Sequence, residues 1–391
     1  MGVYANTVSM MQYRVEEKQP SVPGKNKDYF SEKLATRAFK SIDTTNEETS
    51  MGWVQVDNMD QVEFDNISTF VRDNYIVFSL RRDQRKIPAS AIKSIVAKEE
   101  AKFLIQHPNL RRTPKNKREE IKEAVRSALL GRCIPSTAVV DVVWDTEKKI
   151  VTLFSLSNKV VEHFEDTFRK TFEEFSLSFI PPFTRACELL KNEPDCLTEL
   201  MKMHGGSESV ASLVSENKWL GQDFQLWLLY RGLNNGSEYR VGEGDEQHGQ
   251  VFQAWVDEKL QMIGGGSEGA LQKVAVSGIQ DSYVEAKAAL RNGKSISSSI
   301  INLEKDENCW KLTLQGDTFG FASYKTPAIH IEKDATVDEL SEREAVFFEK
   351  MHVLERGCVY FNSLLLEFLK ERLSHKWAAR MVEINEWLNE G

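Results

Sequence analysis

The sequence predicts an α+β protein: antiparallel sheets with packed helices and a projecting two-helix basic arm. Three observations lead there. Short β-branched and aromatic runs come in groups, and amphipathic runs of helical period come in separate groups, whereas a doubly wound sheet would alternate them singly. The last fifty or so residues carry only helical patterns. One stretch of helical period, residues 80–135, is strongly basic in a chain whose net charge is −9.

In chain order, residues 9–15 (SMMQYRV) are a first strand, and residues 16–27, with Pro20, Pro23 and Gly24, are a loop. Residues 29–40 form an amphipathic helix with Phe30, Leu34 and Ala38 on one face. Residues 51–56 are a strand, and residues 75–80 (YIVFSL) are a buried strand that exits into Arg81 and Arg82. After the basic stretch come strands at 138–144 and 150–156, joined by a short connection at Asp145-Thr146-Glu147-Lys148. Asn158 caps a helix over 159–175, on which Val160, Phe164, Phe168 and Phe172 recur at four-residue steps as a core stripe. Residues 179–183, with Pro181-Pro182, close this region, and residues 185–203 read as one helix up to the break at Gly205-Gly206-Ser207. Residues 224–230 (FQLWLLY) fit a strand or a short buried helix equally, because periodicity cannot separate the two in so apolar a run. A strand over 251–263, a glycine-rich connection at 264–269 and a helix over 282–290 follow. Strands at 297–303, 309–314 and 320–324 precede helices at 340–354, 358–373 and 377–388. There is no internal repeat and no low-complexity tract.

Within residues 80–133 stand 15 Lys or Arg against 6 Asp or Glu, a local charge of +9 that leaves −18 on the remainder. Charge segregated in this way marks a polyanion-binding surface on a self-repelling body. The acidic total does not oppose it, because beyond a Debye length of about 8 Å the rest of the chain is screened. Ile87-Pro88 ends the preceding strand. Ser90 caps a first helix that starts near Ala91, carries Ile92, Ile95, Val96, Phe103 and Leu104, and ends at Pro108. Residues 111–118 are a basic connection, Thr113-Pro114 opens a second helix lined by Ile121, Val125, Ala128 and Leu129, and Gly131 stops it. Phe103 is the one aromatic of the arm, so backbone contact with duplex suits it better than base stacking on a single strand.

These features fall in a recognisable order. Gly52-Trp53, a strand ending in basic residues, Lys86-Ile87-Pro88, the Lys-rich hairpin and then Leu129-Leu130-Gly131-Arg132-Cys133-Ile134 resemble the RdgC family of recombination-associated DNA-binding proteins, sometimes labelled exonucleases. Trp144-Asp145-Thr146 before a short strand, and Gly293-Lys294 before alternating strands, agree with it. The similarity is clearest over residues 51–183 and again over 280–374, and residues 193–273 are divergent. Where the family carries a proline and an aromatic, this chain has Gly131 and Ile134, which weakens the apolar contact implied there.

The resemblance implies a homodimer whose protomers meet at two places around a basic hole that passes double-stranded DNA. Single strands would bind more weakly. It also implies antagonism of a RecA-type recombinase by occupancy of DNA, and a cytoplasmic, nucleoid-associated protein with no cofactor. The expected phosphate contacts are Arg81, Arg82, Lys86, Lys93, Arg111, Arg112, Lys115, Lys117, Arg118, Arg132 and Lys294. Leu130, Cys133 and Ile134 are the expected dimer contact. The implied organisation is a central α+β domain (1–87 and 133–185), a basic arm (88–132) and a C-terminal α+β domain (186–391).

The alternative is a metal-dependent DNA exonuclease, which needs clustered carboxylates. Asp281, Glu285 and Lys287 mimic a D…ExK pattern but fall on a helical run, as does Glu120-Ile121-Lys122. Gly293-Lys294-Ser295 lacks the glycine five positions earlier that a phosphate loop requires, since Ala288 stands there. The seven histidines have no zinc-ligand spacing, and no catalytic residue is assigned. Five cysteines without a CxxC pair predict free thiols in a reducing compartment. No apolar run is long enough for a membrane span, and no secretory leader is recognisable.

Overall fold

The computed structural model describes residues 2–18, 27–203, 209–265, 271–278, 283–329 and 339–390. The predicted loop prolines Pro20 and Pro23, the Gly205-Gly206-Ser207 break, the glycine run beyond Gly265, and Asp281 lie outside the described residues. The chain is α+β, with antiparallel strands and eleven α-helices among the described residues. In order these are β1 (Thr7–Glu17), α1 (Lys27–Thr36), β2 (Thr49–Val54), β3 (Val71–Arg72), β4 (Tyr75–Gln84), α2 (Ala89–Gln106), α3 (Lys115–Leu130) and β5 (Ser136–Asp145). Next come β6 (Ile150–Leu153), α4 (Asn158–Thr171), β7 (Phe175–Phe179), α5 (Pro182–Leu189), α6 (Pro194–Lys202), α7 (Val210–Glu216) and α8 (Lys218–Asn234). Last are β8 (Glu238–Arg240), β9 (Val251–Gly265), β10 (Leu271–Val276), α9 (Val284–Arg291), β11 (Ser295–Lys305), β12 (Asn308–Gln315), β13 (Gly320–Lys325), α10 (Glu339–Arg372) and α11 (Lys376–Asn389). They form two compact units, one of Glu17–Glu147 with His163–Phe175, the other of Met1–Glu16, Lys148–Glu162 and Ser176–Gly391.

The smaller unit is built on β2, β4 and β5, antiparallel neighbours with Trp53 opposite Leu80 and Phe78 opposite Val142. Residues 75–80 of β4 are buried at every position, as their uninterrupted apolar run requires. Its core is aromatic: Trp53 meets Phe78 edge-to-face at 4.9 Å, and Phe168 meets Phe172 at 4.8 Å. Phe164, Phe168 and Phe172 are all fully buried, so the four-residue stripe is core. The Trp53 indole N–H donates to Thr171 Oγ1 at 2.8 Å, which satisfies the one polar atom the tryptophan carries inside. Gly52 is there for space: a Cβ on it would stand 2.5 Å from the Phe39 backbone.

The larger unit is a sheet in the order β10-β9-β11-β12-β13-β1-β6, antiparallel throughout, with β8 beside β9 and β7 beside β1. The run 224–230 is helix, the centre of α8, and not a strand. Leu220, Phe224, Trp227, Leu228 and Leu229 are buried, and so is Gln225, whose amide takes a hydrogen bond from Ser299 Oγ at 2.8 Å. A helix covered on nearly every side has no polar stripe, which is why its period was silent.

Two helical stretches are also divided differently from the sequence reading, and α1 and α4 end earlier, at Thr36 and Thr171. Residues 185–203 form two helices, because Pro194 begins α6 where it cannot continue α5. The predicted helices at 340–354 and 358–373 are one, the 34-residue α10, which runs through Gly357. A Cβ at Gly357 would lie 1.9 Å from the Tyr324 hydroxyl and 2.7 Å from the Trp310 ring, so this glycine admits neighbours and does not break the helix.

Candidate nucleic-acid interface

α2 and α3 form the helical hairpin of the smaller unit. Pro88, and not Ser90, stands at the N-cap of α2, and Pro114 at that of α3, each fixing φ near −60° as the chain enters the helix. His107 closes α2: its N–H bonds Phe103 O and Leu104 O, and its ring stacks on Phe103 at 4.2 Å. A turn follows in which Leu110 N donates to His107 O at 3.0 Å. The seam between the helices is thin, since Val96, Val125 and Leu130 are the buried residues of α2 and α3. One charged bond crosses it, Arg118 Nε to Glu100 Oε1 at 2.7 Å.

The hairpin's carboxylates are largely spent locally. Glu99 pairs with Lys102, Glu100 with Arg118, and Glu120 with Lys117, while Arg126 reaches Glu48 outside the hairpin. Among the described residues, eight exposed cations remain with no ion-pair partner: Lys86, Lys93, Lys98, Arg111, Arg112, Lys115, Lys122 and Arg132. Two carboxylates, Glu119 and Glu123, are left in the same condition. The surface therefore carries an excess of six positive charges over residues 86–132. On α3, Lys115, Arg118, Lys122 and Arg126 recur at three- and four-residue steps and share one face.

The eleven predicted phosphate contacts divide by location. Lys86, Lys93, Arg111, Arg112, Lys115 and Arg132 are exposed and unpaired among the described residues. Lys117 and Arg118 are exposed and paired on the surface, where such bonds are weak and exchangeable. Arg82 is half-buried on β4, opposite Met51 and Ala138. Arg81 is engaged internally: its guanidinium forms a two-pronged bond to Asp83 at 2.9 and 3.0 Å, reaches Asp60 at 2.7 Å, and lies 4.3 Å over the Phe39 ring. The bond to buried Asp83 leads the effects that hold its pKa above the ordinary arginine value. Lys294 belongs to the larger unit, half-buried behind Gly293. Of the predicted dimer contacts, Leu130 is buried, Cys133 half-buried and Ile134 91% exposed.

Sequence reasoning gave Arg85 no separate role. It is 6% exposed, and its guanidinium holds the carbonyls of Ile42, Asp43 and Thr45. It shares a groove of about 550 Å³ at the base of the hairpin with Glu48, Lys86, Ile92, Arg126 and Leu130. Its two-residue step from Asp83, the buried residue near the end of β4, was the available signal.

The nuclease candidates do not assemble among the described residues. Glu285 is exposed on α9, whereas Lys287 is 7% exposed, donates to the Glu390 carbonyl at 3.1 Å and sits 4.8 Å over the Trp387 ring. Glu120 is held by Lys117. No group of three His, Cys, Asp or Glu side chains placed to hold a metal occurs among the described residues. No described helix is long and apolar enough to cross a membrane. All five cysteines are free thiols.

Together these features define a charge-segregated α+β protein that displays its surplus cations on a helical hairpin. Residues 9–188, which include the whole hairpin, match the family model described as "Putative exonuclease, RdgC". That description is of a protein directed at nucleic acid. The resemblance over residues 280–374 lies beyond the matched stretch. No curated protein matches the chain.

Proposed function

We propose that this protein binds DNA without sequence preference, gripping the sugar–phosphate backbone of duplex with the α2–α3 hairpin and the basic residues beside it. The observation that carries the reading is the excess of six exposed, unpaired positive charges on the hairpin of an otherwise acidic chain. Lysine and arginine side chains so exposed neutralise phosphates and release counterions, which gives affinity without base readout. Lys86, Lys93, Arg111, Arg112, Lys115 and Arg132 lead the contact set. Lys117, Arg118 and Arg82 complete it, and Arg81 supports it from within.

The dimeric ring belongs to this proposal. Two protomers joined at the Leu130–Ile134 turn and at a second contact would enclose duplex, with single strands held less well. Occupied duplex would be denied to a RecA-type recombinase, so the protein would act as a nucleoid-associated antagonist of strand exchange, without a cofactor and without catalysis.

Salt titration of duplex binding tests the reading. If about six phosphates are neutralised, log K falls against log salt with a slope near −5. A slope near zero refutes it. The family's description favours a second reading, hydrolysis from DNA ends. Incubation of end-labelled duplex with Mg²⁺ or Mn²⁺ separates the two. Shortening that Glu285→Ala abolishes would establish the nuclease; intact DNA under both metals is expected.

A further inference from the structure

The turn between α2 and α3 combines two properties that oppose each other in water. Ile105, in the last turn of α2, is 79% exposed, and Leu110, which ends the connecting turn, is 37% exposed. Arg111, Arg112 and Lys115 follow directly, all exposed and with no ion-pair partner among the described residues. The site is built and capped. His107 bonds the last carbonyls of α2 and stacks on Phe103, and Leu110 N bonds His107 O at 3.0 Å. The apolar side chains are thus presented on a closed turn with cations beside them.

We propose that Ile105 and Leu110 form a wedge that enters a base step of duplex DNA, while Arg111, Arg112 and Lys115 hold the flanking phosphates. This rests on the DNA-binding reading above and adds to it a mode of contact: local unstacking and a kink, in place of a passive grip on an undistorted helix. Charge decides the occupant. An apolar tip followed in sequence by three exposed cations repels a second copy of the same tip and suits a polyanion whose interior is apolar. Aliphatic wedges between phosphate-binding cations are a general means of kinking duplex, and they act at a step by its flexibility, not by its hydrogen-bonding edge. Sequence-independent binding is preserved.

The test uses the full chain on linear end-labelled duplex, with permanganate oxidation of unstacked thymines as the readout. Thymine oxidation is expected to rise on binding. The double variant Ile105→Ser/Leu110→Ser is expected to keep the salt slope and the native molecular mass but lose the oxidation. Arg111→Glu/Arg112→Glu is expected to lose retention and oxidation together. Retention without any rise in oxidation by the unaltered protein overturns the wedge alone, as does a Ser/Ser variant that still oxidises thymines. A Ser/Ser variant of halved mass also overturns it, because the apolar pair then faces a second copy. Failure of the unaltered protein to retain duplex at low salt overturns the wedge and the DNA-binding reading alike.

Discussion

Arg81 and Lys86 stand five residues apart in one basic run and have different physical lives. Lys86 is exposed and unpaired among the described residues, so its charge is available to a partner. The Arg81 side chain is 12% exposed and spends its charge on Asp83, whose own side chain is 2% exposed. Arg81→Ala would strand that carboxylate inside the unit, a loss on the order of 3 kcal/mol. Urea unfolding should show that destabilisation, while the salt slope of DNA binding at low temperature stays as it was. Lys86→Ala should do the reverse. The distinction was invisible in the run itself, because a guanidinium committed to a neighbour and one waiting for phosphate have the same letter. Only the alternation along the end of β4, which places Arg81 and Asp83 at two-residue spacing with Arg85 next in step just past the strand, hinted that some of these charges pair inside.

At the scale of elements, α10 gives the sharpest prediction. Glycine to alanine within an exposed helix ordinarily gains about 1 kcal/mol. Gly357→Ala should instead lose about 2 kcal/mol, because its methyl group meets the Tyr324 hydroxyl at 1.9 Å and the Trp310 ring at 2.7 Å. Thermal unfolding checks the sign, and Tyr324→Phe in the Gly357→Ala background should recover part of the loss by removing the clashing oxygen. The hairpin was the most legible element. Its prolines, its amphipathic spacing and its charge are local properties, and local properties survive into any tertiary context. α8 was the least legible, since burial on nearly all sides removes the polar face that announces a helix. α10 misled for a related reason: a glycine that serves a neighbouring strand reads, in one dimension, like a stop.

For the whole molecule the question is closure. Ile134 is 91% exposed beside a buried Leu130, an aliphatic side chain left in water at the foot of the hairpin. If it seals one contact of a ring, Ile134→Asp places an unpaired charge in that seam. Sedimentation should then show a lower dimer mass at micromolar protein, together with faster loss of bound duplex. Unchanged mass with unchanged retention would remove Ile134 from the interface. Closure also predicts topology: a closed ring should load onto linear duplex more readily than onto covalently closed circles, and Ile134→Asp should narrow that difference. A protein that grips duplex from one side would treat the two substrates alike at any salt.

Composition and order along the chain were enough to establish the α+β class, the hairpin's place between β4 and β5, its surplus of cations and the aromatic stripe of α4. Each is set by spacing within a few turns of chain or by the charges the residues carry. Tertiary structure alone decided which cations remain unspent, that Arg81 and Arg85 work inside the unit, that Gly357 makes room for Tyr324, and that Lys287 is tied to Glu390. These outcomes depend on partners tens to hundreds of residues away, and a side chain's charge or volume acquires its role only from what folding brings within a few ångströms of it.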